Sequence, residues 1–273
     1  MEVTNEKRIA GRVRSEAKTR LMPATKKGCK MKKTFIKTKN VKKFAALMDE
    51  LQKLPPSIPK LALVYGDHGL GKTNAIIWWA TRNNAVYVRA NNEMTQCALL
   101  KEISEELGER PYYLMQDNLN VIIKHLKSEP QILIIDEVDY LIGNKNVIEV
   151  LRDIQDNTGT PIVLVGMGVA DKKIARLKHF EDRLYRKLKF EHFDSSDIAE
   201  ILEELTDLKF SEDAINYLVT RTNQFRQLVK MIDRLEKLGN TNNIDEFDEY
   251  TLRRLFNGKQ DIKALPKIEK MYA

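Results

Sequence analysis

Residues 61–79 read LALVYGDHGLGKTNAIIWW: five mostly apolar residues, a glycine-rich turn, then an apolar segment with helical character. The turn, Gly66-Asp67-His68-Gly69-Leu70-Gly71-Lys72-Thr73, satisfies G-x-x-x-x-G-K-[ST] at every fixed position. Each residue type has a chemical reason. Glycines allow successive backbone N–H groups to converge on phosphate oxygens with no Cβ in the way. The helix that follows directs its positive end at the same phosphates. Lys72 can reach the β- and γ-phosphates of a nucleotide, and the Thr73 hydroxyl can ligate Mg²⁺. His68 lies in the loop but is not a residue type the pattern requires. Trp78 and Trp79, just beyond, are expected in the core.

A second signal lies further along. QILIIDEVDY is an apolar strand ending in Asp136-Glu137. An aspartate at that tip is placed to hold the Mg²⁺ shell. The glutamate after it can orient and polarise a water against the γ-phosphate, a step that small-molecule kinases do not need. ATP and Mg²⁺ are therefore the expected cofactors. At the end of PIVLVG a polar sensor side chain is common in such sites, yet here Gly166-Met167-Gly168 offers no Asn, Thr or Ser. Backbone groups or Asp171 stand as substitutes.

Around these motifs strands and helices alternate. Strands are predicted at 61–65, 85–89, 131–136, 161–166 and 187–190, with helices near 72–82, 95–107, 115–127, 145–156 and 170–179. A further helix precedes them at VKKFAALMDELQKL, with Val41, Phe44, Leu47, Met48 and Leu51 on one face. Short β-branched strands between helices argue for a five-stranded parallel sheet covered on both faces. After Phe190 the strand signals stop, and 195–206, 211–221, 223–238 and 247–256 read as helices. The expected organisation is a basic N-terminal arm (1–33), an α/β domain (34–192), a helical lid domain (193–258) and a tail (259–273).

Charge is unevenly spread. Residues 1–43 carry 15 Lys or Arg against 3 acidic residues, while the other 230 carry 31 basic and 36 acidic. Such an arm suits a polyanion, most plausibly nucleic acid. Hydrophobic residues make up 42% of the chain, enough for a sizeable core, yet no apolar run reaches membrane-spanning length. There is no secretory leader pattern. The two cysteines, Cys29 and Cys97, suggest neither a disulfide framework nor a metal site. A cytoplasmic location without membrane contact is expected.

Two arginines complete the candidate site. FEDRLYRKLKF offers Arg183 and Arg186; of these, Arg183 is placed to reach a neighbouring subunit's nucleotide and neutralise charge on the transferring phosphoryl group. TRTNQFRQLVKMIDRL puts Arg226 near a helix start, where it can fold back onto the phosphates. Tyr112 and Tyr113 beside Arg110 could stack on bases, although a surface-loop or packing role is the stronger reading.

Taken in order, these stretches resemble an AAA+ ATPase with an α/β P-loop core and a small C-terminal helical lid. Within that superfamily FIKTKNVKKFAALMDEL, the glycine-turn segment, VYVRA, ILIIDEVDYL, TPIVLVGMG, DRLYRKLKF and TNQFRQLVKMIDRLEKL are similar to the Mu-type phage B transposition proteins and related target-selecting transposon ATPases. The resemblance covers roughly residues 34–240. It implies ATP-dependent assembly into rings or helical filaments on double-stranded DNA, recruitment and stimulation of a DDE-type transposase, and disassembly driven by hydrolysis. By that match Gly66, Asp67, His68, Gly69, Leu70, Gly71, Lys72, Thr73 and Asn74 form the phosphate loop. Asp136 and Glu137 form the Mg²⁺ and water site, Arg183 the finger and Arg226 a second sensor. DNA contacts would come from the loop after the second strand, with Arg89, Asn92, Thr95 and Lys101 as candidates. One departure stands out: the Mu-type proteins carry an N-terminal helix-turn-helix domain, where here a basic segment of about 33 residues precedes the shared core. Two other readings remain open: a helicase loader or insertion-sequence helper ATPase, and a nucleotide switch or kinase without DNA.

Overall fold

The computed structural model describes residues 32, 34–242 and 244–256. Apart from Lys32, the expected arm lies outside the described residues, as does the expected tail. Contacts divide the chain into two compact units. One holds Lys37–His192 with Gln224–Arg226; the other holds Phe193–Asn223 with the described residues from Gln227 onward and those before Lys37.

The first unit is an α/β sandwich. Helix α1 (Lys39–Lys53) leads into β1 (Leu61–Tyr65), α2 (Lys72–Ala80), β2 (Val86–Arg89), α3 (Gln96–Glu106), α4 (Met115–Ser128) and β3 (Leu133–Asp136). A 3₁₀ turn (Val138–Tyr140), α5 (Lys145–Thr158), β4 (Ile162–Gly166), α6 (Gly168–Ile174), α7 (Lys178–Glu181) and β5 (Leu184–Lys189) follow. The five strands are all parallel, in the order β2-β3-β4-β1-β5. Leu61, Leu63, Leu133 and Ile135 join one core cluster with Leu99, Ile103, Ile122, Leu151 and Ile154 from α3, α4 and α5. The alternate residues Ala62, Val64, Ile134 and Val163 are also fully buried. Since successive strand residues face opposite sides, both faces of the sheet are covered.

The apolar face read from the α1 sequence is the buried one: Val41, Phe44, Leu47, Met48 and Leu51 are all in the core. Phe44 packs edge-on against Trp79 and Phe190, with ring centroids 6.4 and 6.5 Å away. Trp79 is buried as expected, but Trp78 is only half-buried and lies beside two cations.

Two local readings need correcting. The single helix expected over 170–179 is two short ones, α6 and α7. Ile174 and Phe180 are both fully buried, yet six residues apart on one helix they would point about 120° from each other. The break at Ala175–Leu177 lets both enter the same core. The last strand begins at Leu184, earlier than predicted, because it is an edge strand whose polar residues Arg186 and Lys187 conceal the pattern.

The second unit is mainly helical: α8 (Ser195–Leu205), α9 (Glu212–Arg221), most of α10 (Phe225–Asn242) and α11 (Glu249–Phe256). Asp194 and Asp197 form a capping box at the start of α8, and Ser211 caps α9. The expectation that no strand follows Phe190 was wrong. β6 (Lys209–Phe210) and β7 (Glu246–Phe247) form a parallel pair, with Phe210 stacked on Phe247 at 5.7 Å. Two-residue strands are too short for any periodicity to show. Among the described residues, no helix is long and apolar enough to cross a membrane.

Candidate nucleotide site

The site is built at the carboxyl ends of β1, β3 and β4. The chain leaves β1 through Gly66, at φ +155°, where an added Cβ would lie 2.7 Å from the Phe190 carbonyl oxygen. No other residue fits so close an approach. Gly71, at φ +86°, is the left-handed residue immediately before α2. Between them Leu70 is buried and anchors the loop, while Asp67 and His68 face solvent. Asp67 accepts a 2.9 Å contact from His192 Nε2, and Asn74 is exposed on the first turn of α2.

Lys72 curls back into the loop. Its ammonium donates to the carbonyls of Gly66 (2.7 Å) and Asp67 (2.8 Å). Burial pulls its pKa below the usual lysine value, against the opposing pull of Asp136, Glu137, Asp139 and Asp67. Four carboxylates therefore keep charge on a partly desolvated ammonium.

Thr73 and Asp136, 63 residues apart, meet: the Thr73 hydroxyl donates to Asp136 Oδ2 at 3.0 Å. The Tyr87 hydroxyl donates to the same oxygen at 3.1 Å, and the Glu137 N–H donates to Oδ1 at 2.8 Å. Asp136 is almost fully buried, and burial raises its pKa despite these three donors. Such a pairing suits Mg²⁺, which takes one or two protein oxygens and completes its shell with phosphate and water. Among the described residues no cluster of three or more His, Cys, Asp or Glu side chains could hold a metal by itself, so an all-protein cage is not the alternative.

Glu137 has left-handed backbone angles, φ 58° and ψ 36°, which cost a non-glycine residue roughly 1–2 kcal/mol. The strain turns the chain out of β3 into the 3₁₀ turn. There Asp139 Oδ2 accepts from the Met167 N–H at 2.5 Å, and a Cβ on Gly166 would lie 2.7 Å from that same oxygen. At the β4 tip, then, it is Asp139 that meets the backbone. Asp171 instead pairs with Lys187 at 2.8 Å. Tyr87 and Asp139 were both missed in the sequence. The aspartate three residues after Asp136 was the readable signal for the second, whereas Tyr87 looked like any strand aromatic.

The other candidates are placed as follows. The Arg226 N–H reaches the Gly69 carbonyl at 3.4 Å, so the start of α10 lies against the phosphate loop, and the Arg226 side chain is exposed. Arg183 pairs with Asp156 on α5, and Arg186 with Glu50 on α1. The four DNA candidates do not form one cluster of free side chains. Arg89 lies 3.4 Å from the Glu137 carboxylate, Thr95 caps α3, Lys101 lies over the Tyr113 ring at 5.8 Å, and Asn92 is exposed.

Residues 57–174 match a family model described as an AAA domain. The match covers less than half of the chain. The chain's α/β fold with a five-stranded parallel sheet is shared by solved AAA+ P-loop NTPase structures. The ORC2 protein of Aeropyrum pernix, solved with ADPNP and ADP, superposes with a TM-score of 0.58 at 16% identity, covering 84% of this chain and 69% of that one. The ORC1 protein of the same organism, in complex with DNA, gives 0.52 at 17% identity over 78% and 62%. AMPPCP-bound DnaA of Aquifex aeolicus gives 0.51 at 19% over 73% and 62%. The chain thus spans only about 62–69% of these proteins. No curated protein sequence matches it significantly.

Proposed function

We propose that this chain is a Mg²⁺-dependent ATPase that assembles as rings or filaments on double-stranded DNA, selects a transposition target and recruits and stimulates a DDE transposase. Hydrolysis of ATP then drives disassembly. The observation carrying the ATPase reading is the convergence of Lys72 and Thr73 from one loop with Asp136 and Glu137 from a strand two positions away in the sheet. The transposition reading rests on the resemblance of residues 34–240, and the DNA reading also on the basic first 43 residues.

In the mechanism the loop N–H groups and the start of α2 hold the triphosphate. The Lys72 ammonium exchanges two neutral carbonyls for anionic phosphate oxygens, which are stronger acceptors. Thr73 and Asp136 would hold Mg²⁺, which neutralises phosphate charge when bound. Glu137 orients a water whose oxygen bonds to the γ-phosphorus as the bond to the β–γ bridging oxygen breaks. ADP leaves with that oxygen, and the proton of the water passes to the carboxylate. Arg226, exposed beside the loop, senses the phosphates within the subunit; Arg183 acts across a subunit boundary.

Electron microscopy of the protein with duplex DNA and a non-hydrolysable ATP analogue tests the whole reading. Rings or filaments that need both ligands, and that fall apart with ATP, are expected. Protein that stays monomeric with both would overturn it. A helicase-loading role predicts instead stable binding to a replicative helicase and no stimulation of a transposase.

A further inference from the structure

The described end of the basic segment, from Lys37 onward, belongs to the α/β unit. Lys37, Lys39, Lys42 and Lys43 are all exposed at the start of α1. Lys37 Nζ lies 5.5 Å from the centre of the Trp78 ring, and the Arg82 guanidinium lies 5.0 Å from it. Two cations are thereby held against one half-buried indole, the geometry of cation–π attraction. On the other side Glu191 bonds Lys43 at 2.5 Å, and Lys189 and Lys39 add to the positive field around its carboxylate, which lies below its ordinary pKa.

The surface is rigid. The buried Asn40 side chain donates to the Glu191 carbonyl (2.8 Å) and accepts from the Glu191 N–H (3.0 Å), clamping α1 to the end of β5. Beneath it Phe44 packs between Trp79 and Phe190. The charge pattern also opposes local stability: the first turn of α1 has no acidic residue, although helix starts favour acids and disfavour lysines. An anion bound there would offset this cost.

We propose that this face, formed by the start of α1, the end of α2 and the end of β5, docks the phosphate backbone of duplex DNA. This rests on the DNA-assembly reading above and adds a surface that the resemblance does not supply, away from the loop after β2. Chain continuity favours DNA over an acidic protein. In sequence the face follows directly on a segment with a strong excess of Lys and Arg, and such a density of cations suits a long polyanion. Holding Lys37 and Arg82 on Trp78 in advance lowers the entropy lost when they meet phosphates.

The test measures binding of the full chain, with ATP analogue, to a labelled random-sequence duplex over a range of salt. The quadruple variant Lys37→Gln, Lys39→Gln, Lys42→Gln, Arg82→Gln is compared with a control, Lys124→Gln, Lys127→Gln, which removes two exposed cations from α4. Each lost phosphate contact flattens the log–log salt slope by about 0.9, so the quadruple variant should lose about 3.6 and the control nothing. ATP affinity and melting temperature report whether the fold is kept. If the quadruple variant does not fold, Arg82→Gln alone should lose about one unit of slope. Equal effects in variant and control, an unchanged slope, or lost self-association with duplex binding intact would overturn the face. A parent that binds no duplex would overturn the functional reading beneath it.

Discussion

The Arg89 guanidinium lies 3.4 Å from the Glu137 carboxylate, an ion pair joining the tips of two neighbouring strands. Both partners are only partly covered, so the pair is worth no more than about 1 kcal/mol. It nevertheless holds the carboxylate assigned to water activation, which must turn from the arginine to act. Arg89→Ala should therefore raise DNA-free ATP turnover, by up to about fivefold for that energy, with KM unchanged. Steady-state ATPase assays check this. Unchanged or lower turnover with intact ATP binding would mean that the pair supports Glu137 rather than restraining it.

Asp136 sits in the folded protein at a cost. Burial raises its pKa above the unfolded value, so over that window the folded state holds a proton that the unfolded state has released. Stability must fall as pH rises through the window. Asp136→Asn removes the charge and keeps the bonds: the new amide can donate to the Thr73 and Tyr87 hydroxyls, which rotate to accept, while its oxygen receives the Glu137 N–H. The variant should lose Mg²⁺-dependent hydrolysis yet melt higher at neutral pH, by about 2–4 °C per kcal/mol recovered. That advantage should shrink as pH falls through the folded pKa of the parent and be gone below the unfolded value. Calorimetry at several pH values decides it.

The sheet and the phosphate loop were legible because their signals are local. Gly66 to Thr73 lie in one run, and fully buried strands such as LIID show as unbroken apolar stretches. What was hidden depends on contacts between distant segments. The start of β5 was concealed by Arg186 and Lys187 at a sheet edge, and the break before α7 by the need to bury Phe180. Arg89 read as a cation after a strand, free to meet DNA; only the β2–β3 register shows it beside Asp136 and against Glu137. Asp139 stood in view three residues after Asp136, but its partner, a backbone N–H 28 residues away, did not.

The Lys72 and Glu137 variants separate binding from hydrolysis. Lys72→Ala removes the one ammonium inside the loop and should abolish ATP binding, measured with a fluorescent analogue. In the parent, nucleotide affinity should decline with rising pH below the ordinary lysine range, because burial lowers the pKa of Lys72. Glu137→Gln should bind ATP normally, turn over at least about 10²-fold more slowly, and accumulate as assemblies on DNA. Turnover equal to the parent would remove Glu137 from the water-activating role.

Arg183 is engaged within its own chain by Asp156, a partly exposed pair worth about 1 kcal/mol or less. A phosphoryl group carrying developing charge would be a stronger partner, so the pair is no obstacle to a role across a subunit boundary. Arg183→Ala should keep ATP affinity and lose turnover. A mixing experiment then locates the residue. Arg183→Ala and Glu137→Gln are each expected to be inactive alone. Mixed on DNA, some boundaries would join an intact Glu137 to an intact Arg183 from the neighbour. Turnover that reappears on mixing is the expected result; two inactive proteins that stay inactive while co-assembling would leave Arg183 as a structural partner of Asp156.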